Sequence, residues 1–219
     1  HLFFNYEYPL NERLRDEAVV ASLQPDVRCQ GFHGEVIIPP GEVKTQTGTD
    51  FKVYTPFSRA WRAALPRFDY SIKAMNRPFP ETSHQSDELP DNLGWLPLAY
   101  DQALWPVETD AIRVRVYEFV RERELDYKEN RDFPAINGTS KLSPYLTIGA
   151  VSPLQLMHVQ RQEREGEGWL ESSWLNEIIW REFYRHLSVA FPDLSKLEPF
   201  RPETEQKIQW LDREPLWQA

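Results

Sequence analysis

The sequence predicts an α/β segment at the N-terminal end, then a long connection, then an all-α region. Three observations predict it. Residues 1–40 alternate strand-like and helix-like apolar patterns. Between 75 and 108, Pro78, Pro80, Pro90, Pro97 and Pro106 are spaced among Ser, Asn and Asp, which suits a connection and not a regular element. After Thr109 the apolar positions repeat at helical spacing. The boundaries expected are 1–67, 68–108 and 109–219.

Each element follows from its residues. His1 to Asn5 reads as a strand, Leu10 to Leu23 as a helix with Asn11 or a nearby polar group at its start, and Val36 to Ile38 as a short buried strand ended by Pro39-Pro40-Gly41. Phe57 to Leu65 has helical character. The segment from Met75 to Glu108 is expected to wrap the surface. Thr109 or Asp110 can then cap a helix on which Ile112, Val116, Phe119 and Val120 share a face, and its charged continuation, Arg121 to Glu124, reads as solvated. Ser143 suits an N-cap with Pro144 first in its helix, and Ser152-Pro153 repeats the device nine residues later.

Composition excludes several classes. No apolar run reaches membrane length and nothing resembles a signal peptide. Cys29 is alone and the five His residues show no ligand spacing, so no disulfide and no metal is expected, and a reducing, cytoplasmic setting is the default. A net charge of -9 argues against a generic nucleic-acid binder, whose footprint is a basic patch.

Two segments carry candidate chemistry. Residues 174–187 form one helix with two faces: Leu175, Ile178, Ile179, Phe183 and Leu187 make an apolar stripe, while Trp174, Glu177, Trp180, Arg181 and Tyr184 share another arc. Indoles and a phenol beside a carboxylate and a guanidinium suit a pocket that stacks flat rings. A central helix buried on both sides, with an internal Glu–Arg pair, is the competing reading. Upstream, Thr139, Ser140, Lys141, Leu142 and Ser143 cluster hydroxyls and an ammonium at a helix start, which could cradle a phosphate or pyrophosphate, although Ser-Pro helix starts are common.

The run Arg131-Asp132-Phe133-Pro134-Ala135, then Thr139 to Leu146, then Gly149 to Pro153, then Trp174 to Leu187, resembles the flavin-binding domain of DNA photolyases and cryptochromes. Asn5-Tyr6-Glu7-Tyr8 and Asn11-Glu12-Arg13 resemble the last part of that family's N-terminal antenna domain. The resemblance, nearest to class I cyclobutane-dimer enzymes, implies that 1–67 ends a Rossmann-like antenna domain and that 109–219 opens the helical flavin domain. It therefore implies an internal piece of a longer protein. Residues 1–219 alone are expected to hold flavin weakly, repair nothing and tend to aggregate, because helices that cover the Trp174–Tyr184 face are absent from them.

The resemblance also assigns roles. Tyr127 would contact flavin phosphate and Arg131 the DNA backbone. Thr139, Ser140, Lys141, Leu142 and Ser143 would line the FAD pyrophosphate, with Trp174 packed nearby; Lys141 stands where Arg is frequent, keeping charge but losing the bidentate fork. Glu177, Trp180, Arg181 and Tyr184 would border a cavity for a flipped pyrimidine dimer, Arg181 also facing the cofactor. There Trp180 supplies a stacking wall, and Glu177 bonds a base edge and stabilises the charge that arrives with the electron. Asn11-Glu12, with Ser195-Lys196, would hold a 5,10-methenyltetrahydrofolate antenna, against the plainer reading of a helix cap and a surface lysine. Trp210 resembles the outermost tryptophan of the electron relay, or is packing alone. The implied partner is dimer-containing DNA, met by a monomer when complete, through a local rim to which Arg131, Lys141, Arg181 and Arg185 lie nearest. A cryptochrome-type light receptor and a noncatalytic helical module are the other readings.

Overall fold

The computed structural model describes residues 1–72, 101–164, 166 and 168–209. Strand β1 (Leu2–Asn5) and strand β2 (Cys29–Phe32) pair in parallel, in register from Leu2 opposite Cys29 to Asn5 opposite Phe32. Helix α1 (Leu10–Leu23) connects them. Gly31 lets the Tyr6 ring lie against the strand, where a Cβ would displace it. The helix spans the expected residues, but its N-cap is Pro9 with no side-chain cap, and Asn11 lies inside it; the second strand does not match. Val36–Ile38 is not a strand. It is buried as expected, but the Ile37 and Ile38 amides donate to the Glu182 carboxylate, and the Ile38 carbonyl meets His186 Nε2 at 3.0 Å. Groups spent on a helix cannot also join a ladder.

The chain divides into two compact units, and the division falls within one helix. The first comprises His1–Phe68 and Asn176–Ala219. In it, α2 (Tyr54–Ala64) buries Phe57, Trp61 and Ala64. These meet the face of the long helix that carries Phe183 and His186; the Phe57 ring lies 5.1 Å from Phe183 and 5.0 Å from His186.

The second unit is Asp69–Leu175. Helix α3 (Thr109–Glu122) buries Ile112, Val116, Phe119 and Val120, the four positions its periodicity marks. Two short helices follow, α4 (Tyr127–Asn130) and α5 (Ser143–Thr147), and then α6 (Pro153–Glu163), which packs against α3. The caps differ from expectation by one residue in two places. Thr109 and Ser143 are themselves helical, behind Glu108 and Leu142, and neither helix has a side-chain cap. Ser152 does cap α6, in a reciprocal box with Gln155. Glu124 is a second correction: only 4% exposed, it is not on a solvated face. Its Oε1 accepts from Gln160 and Ser172, and its Oε2 accepts from both Nε and Nη2 of Arg164, at 2.9 and 2.7 Å. Helix α7 (Ser173–Ala190) and the short α8 (Pro202–Glu205) complete the described elements. Pro78, Pro80, Pro90 and Pro97, and Trp210, lie outside the described residues.

Candidate functional site

The expected site residues fall in both units, and each group has its own local frame. In the first unit α7 shows the two faces read from its spacing. Ile178, Ile179, Phe183 and Leu187 are buried, whereas Trp180 and Glu177 are half-buried and Tyr184 is 56% exposed. The Trp180 indole is held by rings on several sides. Tyr54 lies parallel to it at 3.5 Å and 7°, Phe183 meets it edge-on at 5.8 Å, and Tyr184 sits at 5.8 Å and 25°. An aromatic surface this ordered suits stacking of a flat ligand.

Arg181 and Arg185 turn the other way. Arg181 Nη1 donates to the Glu35 carbonyl, its Nη2 lies 3.6 Å from the Glu35 carboxylate, and Arg185 Nε lies 3.2 Å from that carboxylate. Two of the four cations nearest the recognised motifs are therefore committed to Glu35. Burial pulls the Arg181 guanidinium below its ordinary value, with Arg185 adding to the effect.

On the buried face lie Glu182 and His186, which the sequence analysis does not mark. Glu182 is fully buried; it accepts from the Ile37 and Ile38 amides and from Trp61 Nε1 at 2.6 Å. Desolvation pushes its carboxyl up to about 7 against the pull of those three donors, and burial pushes His186 down to about 4. The signal was available: both residues fall in the middle of the apolar stripe at 100° per residue.

The expected folate residues come together within this unit. The Leu10 amide donates to Ser195 Oγ at 3.3 Å, which places Asn11 and Glu12 beside the turn Pro192–Lys196, and Lys196 pairs with Asp193 at 3.0 Å. A separate cavity of about 470 Å³ lies between α1 and the sheet, lined by Tyr6, Tyr8, Arg13, Glu17 and His33 among others. There the Tyr8 hydroxyl meets His33 Nδ1 at 2.8 Å, and burial raises the phenol and lowers the imidazole.

In the second unit Phe119 is the hub. Trp174 packs at 5.0 Å from it, Tyr127 meets it edge-on at 6.0 Å, and the Arg131 guanidinium lies 5.7 Å from the Tyr127 ring centre. Arg123, unmarked in the sequence, sits 5.4 Å from the Phe119 ring centre and donates to the carbonyls of Asn137 and Thr139. It thereby ties the hydroxyl segment to the same hub. In that segment Leu142 is buried, Ser140 half-buried, and Thr139, Lys141 and Ser143 exposed. Lys141 adopts a φ of 54°, a conformation that costs an L side chain on the order of 1–3 kcal/mol. Buried Leu142 anchors the strained turn while its polar neighbours face solvent, as residues that cradle a phosphate would. Because α5 has only five residues, its dipole adds little to such a cradle.

Among the described residues no group of three or more His, Cys, Asp or Glu side chains could hold a metal ion, and no helix is long and apolar enough to cross a membrane.

A parallel βαβ start followed by helices matches part of a photolyase. It superposes with a TM-score of 0.77 on the crystal structure of a class III photolyase from Agrobacterium tumefaciens, 28% identical, covering 99% of this chain and 46% of that one. Residues 1–82 match the DNA photolyase family model. The deoxyribodipyrimidine photo-lyases of Salmonella typhimurium and Escherichia coli are 40% and 39% identical over 100% and 96% of this chain. The chain belongs to the DNA photolyase family. It spans 46% and 44% of those two relatives, a little under half their length.

Proposed function

We propose that the protein to which this chain belongs repairs cyclobutane pyrimidine dimers in DNA under light, and that these residues supply one wall of the lesion site and one part of an FAD site. The observation that carries the reading is the ordered Trp180 ring with Glu177 on the same helix, in a chain similar to deoxyribodipyrimidine photo-lyases along its whole length. A dimer stacks poorly in the duplex, so extruding it costs less than extruding normal bases. Trp180 then offers a stacking face and Glu177 a carboxylate for a base edge, with Arg131 and Tyr184 toward the DNA. Arg181 acts from behind, by fixing the Glu35 segment.

Bound FAD would supply the light-driven electron. Thr139, Ser140, Lys141 and Ser143 would hold its pyrophosphate, with Tyr127 and Trp174 beside it. Asn11, Glu12 and Lys196 would hold a folate antenna, which makes 1–67 the end of an antenna domain and 109–219 part of the flavin domain. Trp210 is the relay residue in this reading.

The test is light-dependent loss of dimers from irradiated DNA by the complete protein. A flavin-bearing protein that leaves the dimers intact would point instead to a light receptor. Trp180→Ala should then lower the preference for damaged over intact DNA by roughly 1–3 kcal/mol with flavin retained. Replacing Ser140 and Ser143 by Ala should weaken flavin retention by about 1.5–3 kcal/mol for each lost bond to phosphate.

A further inference from the structure

We infer that Tyr54 is a positioning residue for Trp180, and that the stacking wall is a two-ring laminate built from α2 and α7. The inference rests on the proposed lesion site. Tyr54 opens α2, after extended Val53, and its side chain reaches α7 at three points. Its hydroxyl donates to the Asn176 carbonyl at 2.9 Å and also meets the Asn176 side-chain amide; its ring lies flat on the Trp180 indole; its edge meets Phe183 at 5.9 Å and 72°. Arg62 supports the same anchor: its guanidinium reaches Asn176 Oδ1 at 3.4 Å and the Ser58 side chain one turn back.

The consequence is geometric. A half-buried indole on one helix can change rotamer, and a wall that rotates gives away the stacking it offers a base. Tyr54 occupies one indole face at near-perfect parallelism and closes that face to a base, and the phenol bond to Asn176 helps to keep Tyr54 from following any rotation. The plane of Trp180 is therefore set by α2 as well as by its own helix. Sequence reading had no access to this pair, because nothing in the Phe57–Leu65 pattern marks the residue that precedes it.

The test uses the complete protein with two duplexes, one carrying a single thymine dimer and one undamaged. Five proteins are compared: wild type, Tyr54→Phe, Tyr54→Ala, Trp180→Ala and the Tyr54→Ala/Trp180→Ala pair. Tyr54→Ala should lower the affinity for the dimer duplex roughly two- to tenfold and leave the affinity for the undamaged duplex unchanged. Tyr54→Phe, which keeps the ring and its contacts but loses the bond to Asn176, should recover part of the loss. In the Trp180→Ala background the Tyr54→Ala change should have no further effect, since Tyr54 acts only through that ring. Additive losses, a Tyr54→Phe protein as weak as Tyr54→Ala, or Tyr54→Ala with wild-type preference would each overturn the inference while leaving the lesion site standing. A wild type that does not prefer the dimer duplex would sink both.

Discussion

Among the described residues each unit buries one carboxylate, and the two are satisfied in opposite ways. Glu182 in the first unit receives only neutral donors, two backbone amides and an indole N–H, and the nearby guanidinium of Arg181 bonds the Glu35 carbonyl instead. Glu124 in the second unit receives two guanidinium N–H groups on one oxygen and an amide and a hydroxyl on the other, and Arg164 keeps 20% of its side chain in solvent. The first arrangement pins a loop to a helix and leaves the carboxyl poised near neutrality. The second ties the ends of α3 and α6 to the turn before α7 through a compensated charge. A buried acid thus serves as a clamp in either case, and at Glu182, where burial raises the carboxyl to about 7, the clamp is sensitive to pH.

The largest effect that would break this comparison is Glu182→Ala. It strands three buried donors and opens a void under Trp61, so it should cost about 3–5 kcal/mol in denaturant unfolding of the complete protein. A loss below about 1 kcal/mol would mean that water or a rearranged loop replaces the carboxylate. Arg164→Met should follow at about 2–4 kcal/mol, because it leaves Glu124 buried without its counter-charge. If the Glu124→Gln/Arg164→Met pair regains most of that loss, the compensated-charge account stands; if not, Arg164 works chiefly by packing.

The pH profile sharpens the contrast. Glu182 has a folded value of about 7, above its ordinary 4.5, so its contribution is fully present below 4.5 and is lost as pH rises toward 7. His186 has a folded value of about 4, below its ordinary 6.5, so its contribution is present above 6.5 and lost as pH falls toward 4. The two slopes oppose each other between roughly 4.5 and 6.5. Glu182→Gln should expose the His186 slope, stability rising with pH across that window, and His186→Asn should expose the reverse. Parallel profiles in the two variants would refute the assignment. The smallest effect is Ser152→Ala: loss of the reciprocal cap on the helix that carries Gln160 should cost about 1 kcal/mol, and a larger loss would show that the Glu124 cluster depends on that end of α6.

Helices were legible in the sequence where one face is apolar and the other wet. The buried positions of α3 and α7 follow from periodicity alone, whereas Leu10–Leu23 is a helix of which no residue is buried. What escaped was decided at long range. Ile37 and Ile38 carry strand-forming side chains, yet their amides go to a residue on α7 far along the chain, and no local pattern reports that. Cys29–Phe32 holds a glycine that argues against a strand until the Tyr6 ring is seen beside it. Glu124 continues a charged run, and only Gln160, Arg164 and Ser172 bury it. For the candidate site, Trp180 was legible because indoles on a polar face are conspicuous. Tyr54 and Arg123 were not, since each acts on a partner its own segment does not contain.

The division of the chain has a consequence for synthesis. The first unit is discontinuous in sequence: its core residues Ile38, Phe57 and Trp61 are made early, but Glu182, Phe183 and His186, which close over them, come only after the whole of Asp69–Leu175 has been added. At about 5–20 residues per second that interval is on the order of 5–20 s, time in which the contiguous second unit can collapse while the first waits open. Arrested nascent chains ending before Asn176 should therefore protect Phe119 from protease and leave Trp61 accessible. The helix that bears Trp180 thus arrives after the second unit, and on the ribosome it closes a unit whose other half has already emerged.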